Sequence, residues 1–212
     1  MRIMPHAKLM LPSLLLLAHL TGPVQAADSG SPDWPCVQRK VNLITSAQFW
    51  DGPQVEDLAG WQDNEAISKL IPVLMSRRVS LDEVAAAIAD FAGKEPEATR
   101  DQTLKMLFAG LLASANNERN LVINGIERFQ QRQRARAQEI ERQGVEIHRL
   151  KERAAQDEGA RGALKLAEDK YNWDVRVFSE RQQSLPLACE VPVLIEQRLF
   201  ALGREIRSHM RD

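Results

Sequence analysis

The stretch INGIERFQQRQRARAQEIERQGVEIHRLKERAAQ (residues 123–156) decides the fold. It holds no proline, is dominated by strong helix formers and predicts one long helix. Steps of three and four along it align Ile126, Phe129, Gln133, Arg136, Ile140, Gln143, Ile147, Leu150 and Ala154. Only six of these nine are apolar, a seam narrower and more polar than a globular core needs and suited to contact with one other helix. Glu139 with Arg142 and Glu146 with Arg149 are spaced to pair across one turn, each worth ~0.2–0.5 kcal/mol. Gly125 and Gly144 each cost about 1 kcal/mol in a helix interior, so some bending is expected.

Downstream, DEGARG (157–162) predicts the place where the chain turns back. A second arm, ALKLAEDKYNWDVRVFSERQQ (163–183), then offers Leu164, Leu166, Tyr171, Val175 and Phe178 to the first. At 1.5 Å per residue the hairpin extends roughly 40–50 Å. The alternative, one continuous helix through Gly159 and Gly162, would demand a partner chain. LPLACEVP (185–192) should interrupt the second arm at Pro186 and Pro192. An amphipathic helix over 193–210 follows, through Leu194, Ile195, Leu199, Leu202 and Ile206.

Upstream, TLKMLFAGLLASA (103–115) is apolar nearly all round and should be buried. At NNERN (116–120) the helix either breaks or becomes polar. Pro96 fits the first turn of this helix. In SLDEVAAAIADFAG (80–93), Ser80 and Glu83 form a capping box, Asp82 suits the helix start, and Gly93 suits the C-terminal cap. Leu81, Val84, Ile88 and Phe91 should face inward. NEAISKLIPVLMSRR (64–78) places Ile67, Leu70, Ile71, Leu74 and Met75 on one face, with a kink or restart expected at Pro72. Residues 27–63 are irregular and hold three of the four tryptophans, Trp34, Trp50 and Trp61.

The first 26 residues read as an export signal: basic Arg2 and Lys8, the apolar run LMLPSLLLLAHL (9–20), then small Val24 and Ala26 before the cut. That run is too short to span a bilayer, which takes about 20 residues. Cleavage removes Arg2 and Lys8 and no acid, taking 28 basic residues to 26 against 29 acidic ones, a net charge of −3. This mild acidity argues against nucleic acid as a partner. The two cysteines, Cys36 and Cys189, stand beside prolines and are expected to bond in an oxidising compartment. Closing so long a loop contributes about 5 kcal/mol in the chain-entropy model.

The fold expected is therefore all-α: a small helical bundle with a long antiparallel coiled-coil hairpin, its irregular N-terminal segment tied down by the disulfide. Its parts are a signal peptide (1–26), an irregular aromatic-rich segment (27–63), a helical bundle (64–118 and 187–212) and the hairpin arm (119–186).

No hydrolase, zinc-site, redox or phosphate-loop motif occurs in the sequence. Of the histidines, only His148 and His209 remain after cleavage, each reading as a solvated helix residue. The acidic stretch DGPQVEDLAGWQDNE (51–65) carries Asp51, Glu56, Asp57, Asp63 and Glu65 but lacks calcium-loop order. Trp34, Trp50 and Trp61 anchor the irregular segment or form a binding platform. Arg128, Arg132, Arg134 and Arg136 form a basic cluster that would meet an acidic partner, a phospholipid surface or solvent. The expectation is a periplasmic or secreted interaction protein, not an enzyme: a scaffold, adaptor or assembly chaperone for a protein partner in the cell envelope. No cofactor, metal or transmembrane segment is expected, and self-association through the coiled coil is open. The rival reading is a small-molecule or cation carrier using residues 33–65.

Overall fold

A computed structural model describes residues 33–155 and 157–211; the expected leader lies outside them. Regular structure among the described residues is entirely helical. A 3-10 turn at Ser46–Gln48 precedes α1 (Glu65–Met75), α2 (Leu81–Lys94), α3 (Arg100–Ala154) and α4 (Glu158–Ser208). The two long helices form an antiparallel hairpin that packs along its length, and the short helices lie on one end of it.

Local signals explain most of the helix starts. Asn64 caps α1 by accepting from the Ile67 N–H at 3.1 Å. At α2, the Glu83 N–H donates to Ser80 Oγ at 3.2 Å while the Ser80 N–H donates to the Glu83 carboxylate at 2.9 Å, the reciprocal box read from sequence. The chain reverses between Ala154 and Glu158, where Asp157 accepts from the Gly159 N–H at 2.9 Å. Gly159 and Gly162 therefore lie inside α4 and not in the turn. All nine residues of the arm seam are sheltered: Ile126, Gln133, Ile147, Leu150 and Ala154 are buried and the other four half-buried.

Other boundaries depart from expectation. Pro96 is four residues ahead of α3, in a turn whose carbonyl accepts from the Thr99 and Arg100 N–H groups at 3.0 and 2.9 Å. Gly93 is helical, and Glu95 ends α2 in an extended conformation. Leu81 is 53% exposed and faces outward. Of the two courses expected at NNERN the second holds, since α3 continues through it without a break, and Pro72 lies within α1 without ending it. The largest correction concerns Pro186 and Pro192, both of which lie inside an unbroken α4. Each removes one helical hydrogen bond, about 3 kcal/mol in an isolated helix. That cost is offset because α4 is packed on both sides of them. Ile195, Leu199, Leu202 and Ile206 are buried in the bundle below, and Asp174 lies in the arm seam above. Cys189 thus belongs to a helix, not to a non-helical joint.

The main core joins Ile67, Leu74, Ile88, Leu104, Leu107 and Phe108, among others, to Leu199, Leu202 and Ile206. The irregular segment is built into it through Ile44, Trp50 and Val55. Asn116 on α3 fixes this register by accepting from the Ile44 N–H and donating to the Ile44 carbonyl, both at 3.0 Å. Trp50 stacks on Phe108 with centroids 4.4 Å apart, and its indole N–H donates to the Pro53 carbonyl at 2.8 Å. Gly203 makes this approach possible, because a Cβ there would overlap the Phe49 carbonyl oxygen.

Candidate interaction surface at the base of the arm

Above the main core, Cys36 and Cys189 are bonded across 153 residues, with Cα atoms 5.6 Å apart. Around the bridge lies a second, smaller core of Trp34, Ile123 and Ile126. The Trp34 indole N–H donates to the Gln38 carbonyl at 2.6 Å, and the Gln38 amide donates to the Cys189 carbonyl at 3.3 Å. Ion pairs fasten the same segment to α3: Lys40 meets Glu127 at 2.6 Å, and Asp33 meets Arg134. Arg119, only 3% exposed, joins Glu196 at 2.8 Å and donates to the Val41 carbonyl at 2.9 Å. The guanidinium thereby ties α3, α4 and the N-terminal segment at one point.

This arrangement separates the residues singled out in the sequence. Trp34 and Trp50 are buried in two different cores, and Trp61 is half-buried beside Gly110. The three tryptophans share no exposed face. The carboxylates of 51–65 are equally dispersed: Asp51 faces Arg207 at 3.9 Å, and Glu65 pairs with Lys69 at 2.5 Å. Glu56 accepts from the Ser46 N–H at 2.6 Å. Burial pushes the Glu56 carboxyl up, but its hydrogen bonds from Ser46 and Val55 outweigh this and hold it below the usual range. Among the described residues, no three His, Cys, Asp or Glu side chains gather as metal ligands would. His148 lies 3.7 Å from Glu152, and His209 lies 3.1 Å from Glu205, each one turn away on its own helix.

The arginine cluster divides in the same way. Arg134 is held by Asp33, and Arg136 meets Asp174 at 3.0 Å. Arg128 and Arg132 are exposed and have no ion pair among the described residues. Arg132 stands at the rim of a 320 Å³ groove between α3 and α4, floored by Val122, Ile126, Phe129, Leu185, Ala188 and Val191. Gly125 and Ser184 complete its walls. Leu121 on α3 and Leu187 on α4, each the chain neighbour of a lining residue, are 71% and 68% exposed. An apolar channel with the Arg132 guanidinium at its rim suits a partner carrying both apolar and acidic groups.

Further up the arm the seam contains a polar node that sequence reading missed. Asp174 is buried and accepts from Lys170 at 2.7 Å, Gln143 at 2.8 Å and Arg136 at 3.0 Å. The Lys170 and Gln143 hydrogen bonds, aided by the Lys170 and Arg136 charges, outweigh burial and hold this carboxyl below its usual range. The polar positions of the α3 seam, Gln143 and Arg136, were the signal that a partner carboxylate should stand opposite. At the base, burial pushes the Glu118 carboxyl up despite the nearby Arg77 and Arg198 charges. Burial likewise lowers Arg198, whose Nε donates to the Leu74 carbonyl at 2.6 Å.

Leu166, expected to face the first arm, is 73% exposed on the outer side of α4, and Trp173 is 64% exposed near it. Both are separated from Leu187 and Leu194 by multiples of seven residues, a repeat visible in the sequence but hidden there by the break expected at Pro186. Among the described residues, no helix is long and apolar enough to cross a membrane. No protein-family model, curated protein or solved structure matches the chain.

Proposed function

We propose that this chain is an exported, non-enzymatic interaction protein: a scaffold, adaptor or assembly chaperone of the cell envelope that works through helical faces left open along its arm. The observation that carries the reading is the groove at the arm base, apolar along its floor and with Arg132, which has no ion pair among the described residues, at its rim. Contiguous exposed apolar surface with a polar rim marks sites where proteins meet. The disulfide supports an oxidising compartment, where such bonds persist. The rival reading, a carrier using residues 33–65, lacks a shared surface, since Trp34 and Trp50 are buried apart and the carboxylates are dispersed.

Photo-crosslinking residues introduced at Gly125 and Leu187, and at exposed Arg149 as a control, test the proposal in the intact envelope. Discrete adducts from the first two but not the third are expected, weakened by Arg128→Glu with Arg132→Glu. Equal labelling from all three sites would refute a dedicated surface. Saturable tryptophan fluorescence changes on titration with metal ions or sugars would instead favour the rival.

A further inference from the structure

We propose that the outer stripe of α4 pairs with the α4 of a second copy of this chain, running antiparallel. The inference rests on the interaction role above and names the occupant of one of its faces.

The stripe is a heptad series on one unbroken helix: Leu166, Trp173, Glu180, Leu187 and Leu194. Its four apolar members are 73%, 64%, 68% and 42% exposed, so large side chains repeat outward over about 42 Å. Four residues after each of the first four come Lys170, Val177, Ser184 and Val191, completing the alternating spacing of a coiled-coil seam. This is a second seam, distinct from the one facing α3. Below Leu194 it closes, because α2 packs there, with Leu81 and Ala85 lining the same hollow as Ala201 and Arg204.

The charges select the occupant and its direction. In an antiparallel pair the seam positions from Lys170 to Leu194 of one copy face those of the other, and Leu166 lies beyond the paired stretch. Centred near Gln182, Trp173 meets the second copy's Val191, Val177 meets its Leu187, and Glu180 meets its Ser184. Lys170 lays its aliphatic stem on the second copy's Leu194. The central acid therefore faces a hydroxyl and not another acid. On the solvent flank Arg176 faces the second copy's Glu190, and Gln183 faces Gln183. Arg176 now bonds only Glu180 of its own turn, at 2.9 Å, and Glu190 has no ion pair among the described residues. Every such contact occurs twice by symmetry. The parallel alternative would stack Lys170 on Lys170 and Glu180 on Glu180, two like-charged layers in one interface.

Sedimentation equilibrium of the oxidised chain, with thiol crosslinking, tests the pairing. A dimer is expected, reduced to monomer by Trp173→Glu or Leu187→Glu with helical circular dichroism unchanged. Since Cys36 and Cys189 are bonded to each other, a new cysteine is the only free thiol. Gln183→Cys should then crosslink two copies readily, and Lys170→Cys should not. A monomer at every concentration, a dimer indifferent to both glutamate variants, or equal crosslinking at both cysteines would each overturn the proposal. A monomer that still gives site-specific envelope adducts from Gly125 on α3 would refute the second copy while leaving the interaction role intact. A dimer whose Gly125 position gives no adduct with a different protein would do the reverse.

Discussion

Replacing both cysteines, Cys36→Ser with Cys189→Ser, tests how the base of the arm is held. The bridge closes a loop of 153 residues, and releasing it gives the unfolded chain about 5 kcal/mol of extra conformational freedom at 25 °C. In a domain of this size 1 kcal/mol moves the melting midpoint by about 2–4 °C, so a fall of about 10–20 °C is the upper expectation. The local consequence is more specific. Residues 44–55 stay fixed without the bridge, because Ile44, Trp50 and Val55 are in the main core and Asn116 brackets Ile44. Residues 33–41 lean on α3 and α4 through Trp34, Gln38 and the Lys40–Glu127 pair, contacts that cluster around the bridge. Brief trypsin digestion should therefore cut the variant at Arg39 or Lys40 before any site in the arm, with helical circular dichroism retained. The reasoning fails if the urea midpoint is unchanged, or if the first cut falls within 44–63 or the arm.

Trp50→Ala removes the ring stacked on Phe108 and should cost about 3–5 kcal/mol, read as a lower urea midpoint. Two glycine substitutions should have opposite signs. Gly203→Ala drives a methyl into the Phe49 carbonyl and should destabilise by about 1–3 kcal/mol, whereas Gly93→Ala meets nothing within 4 Å and should stabilise by up to about 1 kcal/mol. Asp174 has a folded pKa below the 3.8 of a free aspartate, so its contribution is present above that value and is lost as pH falls through the lower folded value. Hydrogen exchange of the arm should accelerate on acidification below that point, and Asp174→Asn should abolish this acid dependence; an unchanged profile would show that the node does not support the arm. Glu118 has a raised carboxyl pKa, so its ionised form opposes folding at neutral pH, and Glu118→Gln should be neutral or stabilising by about 0.5 kcal/mol there. A clear loss of stability would instead mean that the Arg198 charge depends on it.

What the sequence made legible follows from periodicity. The nine seam positions of 123–156 could be read because an arm one helix thick leaves each residue a simple choice between partner and solvent. The Ser80–Glu83 box and the cysteine pair were legible as local chemistry and as compartment logic. The prolines were misread because their cost is local, while the packing that overrides it comes from α3, over 60 residues away in the chain. Leu166 was misplaced for a related reason. An apolar residue on a long helix can belong to either of two seams, and the inner place had been taken by Asp174, an acid that hydropathy alone assigns to solvent. The groove at the base was illegible because it is formed by two segments about 60 residues apart, whose register depends on where the chain reverses.

The unbroken passage of α3 and α4 from arm to bundle has a mechanical consequence. A helix resists stretching far more than bending, so force applied at the tip reaches the core as a tilt and is not absorbed at a joint. α3 alone, at 55 residues, is a beam about 80 Å long. In α4 the beam is softest where Pro186 and Pro192 each omit a rung of backbone hydrogen bonding. Cys189 stands midway between them and is bolted to the strap of residues 33–41. Oxidation therefore stiffens the lever at its weakest cross-section, and reduction lets the arm swing while the bundle stays folded. Spin-label distances from tip to bundle should broaden on reduction, and an unchanged distribution would mean that the prolines add no compliance.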